Sequence, residues 1–283
     1  MHLAGRTLKA PPKAEPPKFA KSADIRVDYP YPLIPADDVA ERLRNPGTSV
    51  IALDVETNDW VDGTPFMGRG DFGFLRAAHP ENLESRIVSL AWVVADFDPE
   101  SAPRCAKTTL VKPGSVKPDY DITEKATRVH KITNARAMAE GQSLPDILQE
   151  FMQDVRTAYE SGGRIAAHHL DFDASVIKKE LERCGFTDLR DRWVTMVKQG
   201  FCTMDPPTCK WVMFSHGEQM KDDNEAMPLV SLVDMVKVIA PHRLDLINNN
   251  HEALADAQMA RLLYIGYIDL ARKAKCFTEE EKQ

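Results

Sequence analysis

The chain has 283 residues, 43% of them hydrophobic, enough for one large domain with a tail or two small domains. Its formal net charge of −7 excludes a generally basic surface as the means of holding nucleic acid, so any such binding must be local and helped by metal ions. The five cysteines are scattered and form no CxxC pair, which points to a reducing, intracellular compartment and excludes a disulfide scaffold.

Residues 1 to about 35 hold seven prolines among scattered Lys and Arg and read as a flexible, partly extended tail. Such a tail is either an inert leader or a tether for a partner or for phosphates. It lacks the apolar core of a signal peptide. Ala36 to Asn45 is a short helix candidate. Val50 to Thr57 (VIALDVET) then reads as a buried strand, dense in Val, Ile and Leu without Gly or Pro. Side chains alternate across a strand, so Asp54 and Glu56 point to one face. Two acids on one face of a buried strand repel each other unless a cation lies between them, and hard divalent ions take carboxylate oxygens. The alternative is an acidic strand end at the surface.

Asn58 to Ser85 has no clean period and carries Trp60, Phe66, Phe72, Phe74, Arg69 and Arg76. It is a long loop or small subelement, suited to stacking bases and holding phosphates or else a small packed flap. Arg86 to Phe97 is a second buried strand, too short an apolar run to cross a bilayer. Cys105 to Val111 is a third, and the modest links give the sheet an antiparallel start. Ile122 to Val129 is a helix candidate followed by His130-Lys131-Ile132-Thr133. Leu144 to Tyr159 repeats apolar residues at helical spacing and is stopped by Gly162-Gly163. Ile165 to His168 is a short strand, and Phe172 to Cys184 a helix ended by Gly185. Residues 190 to 228 are mixed, and Leu229 to Ile239 is helical. Asn248, Asn249 and Asn250 offer N-caps for a long helix to about Ala274. Strands first, then alternating helix and strand, predict an α/β three-layer fold around a mixed sheet.

Two further acidic stretches matter. His168-His169-Leu170-Asp171-Phe172-Asp173 sits where a strand hands over to a helix, with Asp171 as an N-cap and Asp173 as the better metal candidate. His251-Glu252-Ala253-Leu254-Ala255-Asp256 opens a helix kept slim by Ala253, Ala255, Ala257 and Ala260. A carboxylate on such a packed face is costly unless paired or bound to metal. Cys202, Cys209 and His216 match no common zinc module and read as ordinary side chains.

LDVET, HHLDFD and HEALADA, in that order, resemble the three motifs of the DEDD-type 3′→5′ exonucleases. The histidine five residues before the last aspartate resembles the DEDDh branch. That branch holds the proofreading epsilon subunits of bacterial DNA polymerase III, the three-prime repair exonucleases and RNase T. The resemblance spans about residues 48 to 270. It implies an RNase H-like fold, an exonuclease domain over 36–275, and tails over 1–35 and 276–283. It implies release of nucleoside 5′-monophosphates from a nucleic acid 3′ end. Two Mg²⁺ ions, with Mn²⁺ as substitute, would be held by Asp54, Glu56, Asp173 and Asp256, with His251 as general base. Thr57 would contact the terminal nucleotide, and His169, which replaces a common Asn, would meet the substrate. His130 to Thr133 resembles a short HGIT-like motif of these enzymes. A polymerase or other protein partner would use the N-terminal tail. The competing expectation is a non-catalytic nucleic-acid-binding or polymerase-associated subunit.

Overall fold

The computed structural model describes residues 37–59, 85–216 and 231–274. The strand β1 (Val50–Thr57) runs through the middle of the sheet. It pairs antiparallel with β2 (Ile87–Ala95), which pairs antiparallel with β3 (Cys105–Leu110). Its other edge pairs parallel with β4 (Arg164–Ala167), which is parallel to β5 (Phe201–Cys202). Among the described residues the order is β3-β2-β1-β4-β5. The short links give the antiparallel half, and helical crossovers give the parallel half, as parallel pairing requires.

The alternation in β1 divides the core between two faces. Ile51, Leu53 and Val55 pack with helices α4 (Leu144–Glu160), α5 (Leu170–Arg183) and α6 (Thr187–Val197). Phe151 of α4 sits edge-on between Trp92 and Trp193, with ring centroids 5.5 Å away on both sides. Val50 and Ala52 face the other layer, where α1 (Asp37–Arg44), α7 (Pro206–Ser215) and α8 (Leu232–Ile239) pack with α10 (Ala253–Lys273). Ala253, Ala255, Ala257 and Ala260 of α10 are all buried, so this helix lies close across β1 and β2. Gly266 permits a similar approach to α8: a Cβ there would stand 2.3 Å from Ile239 Cγ2. A small third cluster joins Val88 to α2 (Glu124–His130) and α3 (Asn134–Glu140) through Ala126, Ile132 and Ala137.

A buried ion pair fixes α5 against the sheet. Arg86 Nε lies 2.7 Å from Glu180 Oε1, with the two side chains 3% and 0% exposed. The same oxygen accepts from the Ile87 N–H at 3.2 Å, and Arg86 also donates to the carbonyls of Val116 and Pro118. The start of β2 is thereby tied to the last turn of the helix whose first turn carries Asp173.

The expected three-layer fold with a mixed sheet is present, and several local expectations are corrected. The fifth α-helix starts at Leu170, so Asp171 lies in its first turn and His169 is the cap position. The mixed stretch from residue 190 holds the end of α6, the two-residue β5 and α7. Asn248, Asn249 and Asn250 do not cap the long helix. They follow α9 (Leu244–Ile247), and Glu252 is the N-cap, without a side-chain hydrogen bond. His251 therefore precedes α10 instead of opening it. The aromatic and basic stretch from Trp60 to Arg76, and both expected tails, lie outside the described residues. No helix among the described residues is long and apolar enough to cross a membrane.

Candidate active site

The parallel ladder between β1 and β4 runs from Val50↔Arg164 to Ala52↔Ala166 and stops there. Beyond it β1 continues for five residues, with β2 its one strand neighbour among the described residues. The sheet changes from antiparallel to parallel at this strand, and a crevice outside the carboxyl end of such a switch is where α/β sheets commonly take ligands. Asp54 and Glu56 face the crevice from β1, opposite the small residues Ala91 and Ser89. A register shift between Glu56 and Thr57 ends the regular pairing.

Asp256 reaches the same place from the first turn of α10 and is 9% exposed. Each of Asp54, Glu56 and Asp256 offers a carboxylate oxygen within 4.8 Å of those of the other two. Asp173 comes from the first turn of α5 and is 3% exposed. The Val55 N–H donates to its carboxylate. Asp173 Oδ2 is buried with no hydrogen-bond partner. Three chain segments thus deliver four carboxylates to one end of β1.

The electrostatics are those of an uncompensated anionic cluster. Burial pushes the Asp54 carboxyl well above its ordinary range, and Asp173, Glu56 and Asp256 push it further. Burial, then Asp256, raises Glu56 to about 8. Burial raises Asp173 well above its usual value against the opposing Val55 N–H, with Glu56, Asp256 and Asp171 adding to the rise. Asp256 is raised to about 7, chiefly by burial and then by Glu252, while the His251 N–H eases it. Divalent cations invert this logic by favouring the ionised form. Two buried and two half-buried acids, with one orphaned carboxylate oxygen, therefore fit a hard divalent ion in ligand type and in charge.

His251 stands beside the cluster. Its φ of 66° places it in the left-handed region, and that turn aims its N–H at Asp256 Oδ1 and Oδ2, 3.3 and 3.2 Å away. The ring is exposed; partial desolvation and then the Lys131 charge hold it below the usual histidine range. It is therefore neutral near pH 7, with a ring nitrogen free to accept a proton.

His130 belongs to the site as well, although the sequence assigns it no role beyond a motif match. Its Nδ1 accepts from the Ile132 N–H at 3.0 Å, so the proton of the neutral ring sits on Nε2, which donates to the Thr57 carbonyl at 3.2 Å. Burial lowers its pKa and keeps it in that neutral form. The ring clamps α2 to the end of β1. Thr57 itself donates through Oγ1 to the Asp59 carbonyl at 3.0 Å. His169, with φ 84°, stacks on Phe172 at 5.6 Å, and burial pushes it down to about 4. Cys209 donates to the Thr203 carbonyl and His216 contacts the Val212 carbonyl, so these two are engaged by backbone.

Neither a family model nor a curated protein matches the sequence. Solved structures do. A structure of exonuclease I is 15% identical with a TM-score of 0.51, covering 83% of this chain and 42% of that one. The zinc-bound complex of Escherichia coli exonuclease I with single-stranded DNA is 18% identical at 0.50, covering 81% and 40%. Exonuclease I from Methylocaldum szegediense is 18% identical at 0.50, covering 76% and 40%. The chain spans about two fifths of the length of these proteins. It shares with them one fold, an RNase H-like α/β arrangement around a mixed five-stranded sheet.

Proposed function

We propose that this chain is a metal-dependent 3′→5′ exonuclease of the DEDD type, DEDDh branch, releasing nucleoside 5′-monophosphates from the 3′ end of nucleic acid. The observation that carries the reading is the carboxylate quartet. Asp54, Glu56, Asp173 and Asp256 are brought to one sheet end from positions up to two hundred residues apart, in a setting that penalises their ionisation. A structure keeps such a cluster at a cost, and perturbed carboxyls in a crevice mark a functional site. The shared fold with exonuclease I and the resemblance of the three motifs agree with this reading.

Asp54, Glu56 and Asp256 would hold divalent ions directly, and Asp173 would complete the set with its unpartnered oxygen. Two ions are proposed, Mg²⁺ by default and Mn²⁺ as substitute; when bound, they neutralise the carboxylates and stabilise charge on the scissile phosphate. His251 takes the proton of the attacking water, because it is exposed, neutral and fixed beside Asp256 by its own N–H. We place its exposed ring at the edge of the cluster, within reach of a water. The His130 clamp fixes the backbone of Thr57, which we place against the terminal nucleotide. We place His169 and Phe172, stacked at the head of α5, on the substrate side as well.

The test is direct. Purified protein is incubated with 5′-labelled DNA and RNA oligomers, single-stranded and paired, in Mg²⁺ or in EDTA. A ladder shortening from the 3′ end, present in Mg²⁺ and absent in EDTA and with Asp54→Ala, is expected. Loss of the 5′ label as the first product, or turnover by Asp54→Ala near that of the wild type, would overturn the assignment.

A further inference from the structure

We infer that Lys131 is a strand-binding residue of this site, its ammonium taking a backbone phosphate of the bound nucleic acid. The inference rests on the exonuclease reading. Its first support is placement. On one side of Lys131, the His130 ring is bonded to the Thr57 carbonyl, next to Glu56. On the other side, Ile132 is buried against Val88. With both neighbours anchored, the residue between them must project outward, and Lys131 is exposed. The Thr57 carbonyl held by the His130 ring is one residue beyond Glu56 on β1, so Lys131 starts from the edge of the same site.

The second support is backbone conformation. Lys131 closes α2 with φ 62°, in the left-handed region, its N–H bonded to the Thr127 carbonyl. Glycine takes this helix-ending conformation without steric penalty, and a lysine does not. The helix needs the conformation but not the side chain.

The third support is charge. The chain is acidic overall, and the crevice gathers four carboxylates, so an incoming polyanion meets repulsion that local cations must offset. The Lys131 ammonium donates to the Arg128 carbonyl and forms no ion pair with a carboxylate among the described residues. Its charge therefore remains uncompensated. A long, flexible side chain can leave a surface carbonyl for a phosphate at little cost.

The rival role is purely structural, a cation on the last carbonyls of a helix. Binding measurements separate the two. Fluorescence anisotropy of a labelled single-stranded oligonucleotide, with Ca²⁺ in place of Mg²⁺, is recorded over a salt series for the wild type and for Lys131→Gly, Lys131→Gln and Lys131→Arg. Lys131→Gly and Lys131→Gln are expected to weaken binding about three- to tenfold, and to flatten the slope of log K against log salt by about 0.7, the value for one phosphate contact on a single strand. Lys131→Arg should retain both affinity and slope. The thermal midpoint of Lys131→Gly should equal or exceed that of the wild type, which a capping role alone would not give. Wild-type affinity and slope in both neutral variants would overturn the inference while leaving the exonuclease reading standing. Weaker binding with an unchanged slope would also overturn it, because the loss would then not come from a phosphate contact. A wild-type protein that neither binds nor shortens any oligomer would overturn both.

Discussion

If the quartet is a metal site, the metal-free protein must lose stability as pH rises through neutrality. A folded-state pKa above the unfolded one means that the native state holds the extra proton, so stability falls as pH climbs between the two values. Asp256 is raised from 3.8 to about 7 and Glu56 from 4.5 to about 8, while Asp54 and Asp173 are raised well above their ordinary values. Between pH 7 and 8, His130, His169 and His251, all lowered, are neutral in the folded protein, and the raised thiols are protonated. The carboxyls therefore dominate that window. Because they raise one another, they titrate as a unit, and the folded state holds about one to two more protons than the unfolded chain. Each proton contributes about 1.4 kcal/mol per pH unit, giving a fall of about 2 kcal/mol across the window. At about 2–4 °C per kcal/mol for a domain of this size, the midpoint in EDTA should drop by about 4–8 °C from pH 7 to pH 8. Excess Mn²⁺ should abolish or reverse the drop, since binding displaces the protons and strengthens as they leave. Asp54→Asn should roughly halve the slope in EDTA, raise the midpoint at pH 8 and remove most of the response to Mn²⁺. The assay is thermal unfolding by circular dichroism at closely spaced pH. A flat profile in EDTA, with no shift in Mn²⁺, would refute the account of the cluster.

Three further outcomes follow from the geometry. His251→Asn, chosen because asparagine tolerates the positive φ at this position, should lower kcat by about 10² to 10⁴ with little change in KM or in the Mn²⁺-induced midpoint shift; turnover within a few-fold of the wild type would remove His251 from the chemistry. Arg86→Met should cost about 3 kcal/mol in urea unfolding, because the buried Glu180 is then left to Arg183 Nη1, 3.3 Å away, and to the Ile87 N–H, and adding Glu180→Leu should recover part of it; equal stability of the single and double variants would contradict this. Gly141→Ala should cost about 3 kcal/mol or more, because a Cβ there would lie 2.2 Å from the Ala137 carbonyl oxygen and 2.6 Å from the Lys112 nitrogen, both rigid backbone; a neutral effect on the urea midpoint would show that the approach is looser than it is drawn.

Much of this arrangement is legible in the sequence because it is local or periodic. Alternation along VIALDVET places Asp54 and Glu56 on the face opposite Leu53 and Val55, and the alanines around Asp256 mark a helix lying close to the sheet. What the sequence hides are features decided by partners far along the chain. The role of His130 depends on a carbonyl 73 residues away. The Arg86–Glu180 pair spans 94 residues. The strand β5 has only two residues and no detectable period between two helices. The helix starts differ from those the sequence suggests for a conformational reason: left-handed turns at His169 and His251 precede the helices, and histidine, though enriched at positive φ, takes that conformation too seldom to mark one.

The placement of α10 late in the domain has a temporal consequence. It supplies Asp256, follows directly on His251, and covers the sheet face that includes Val50, Ala52, Ala91 and Val93. A chain still emerging from the ribosome, or clipped before Ala253, has neither the fourth carboxylate nor a closed core on that side. On the exonuclease reading proposed above, such a chain would lack at once a metal ligand and the packing that holds the other carboxylates, and it is expected to be inactive toward nucleic acid.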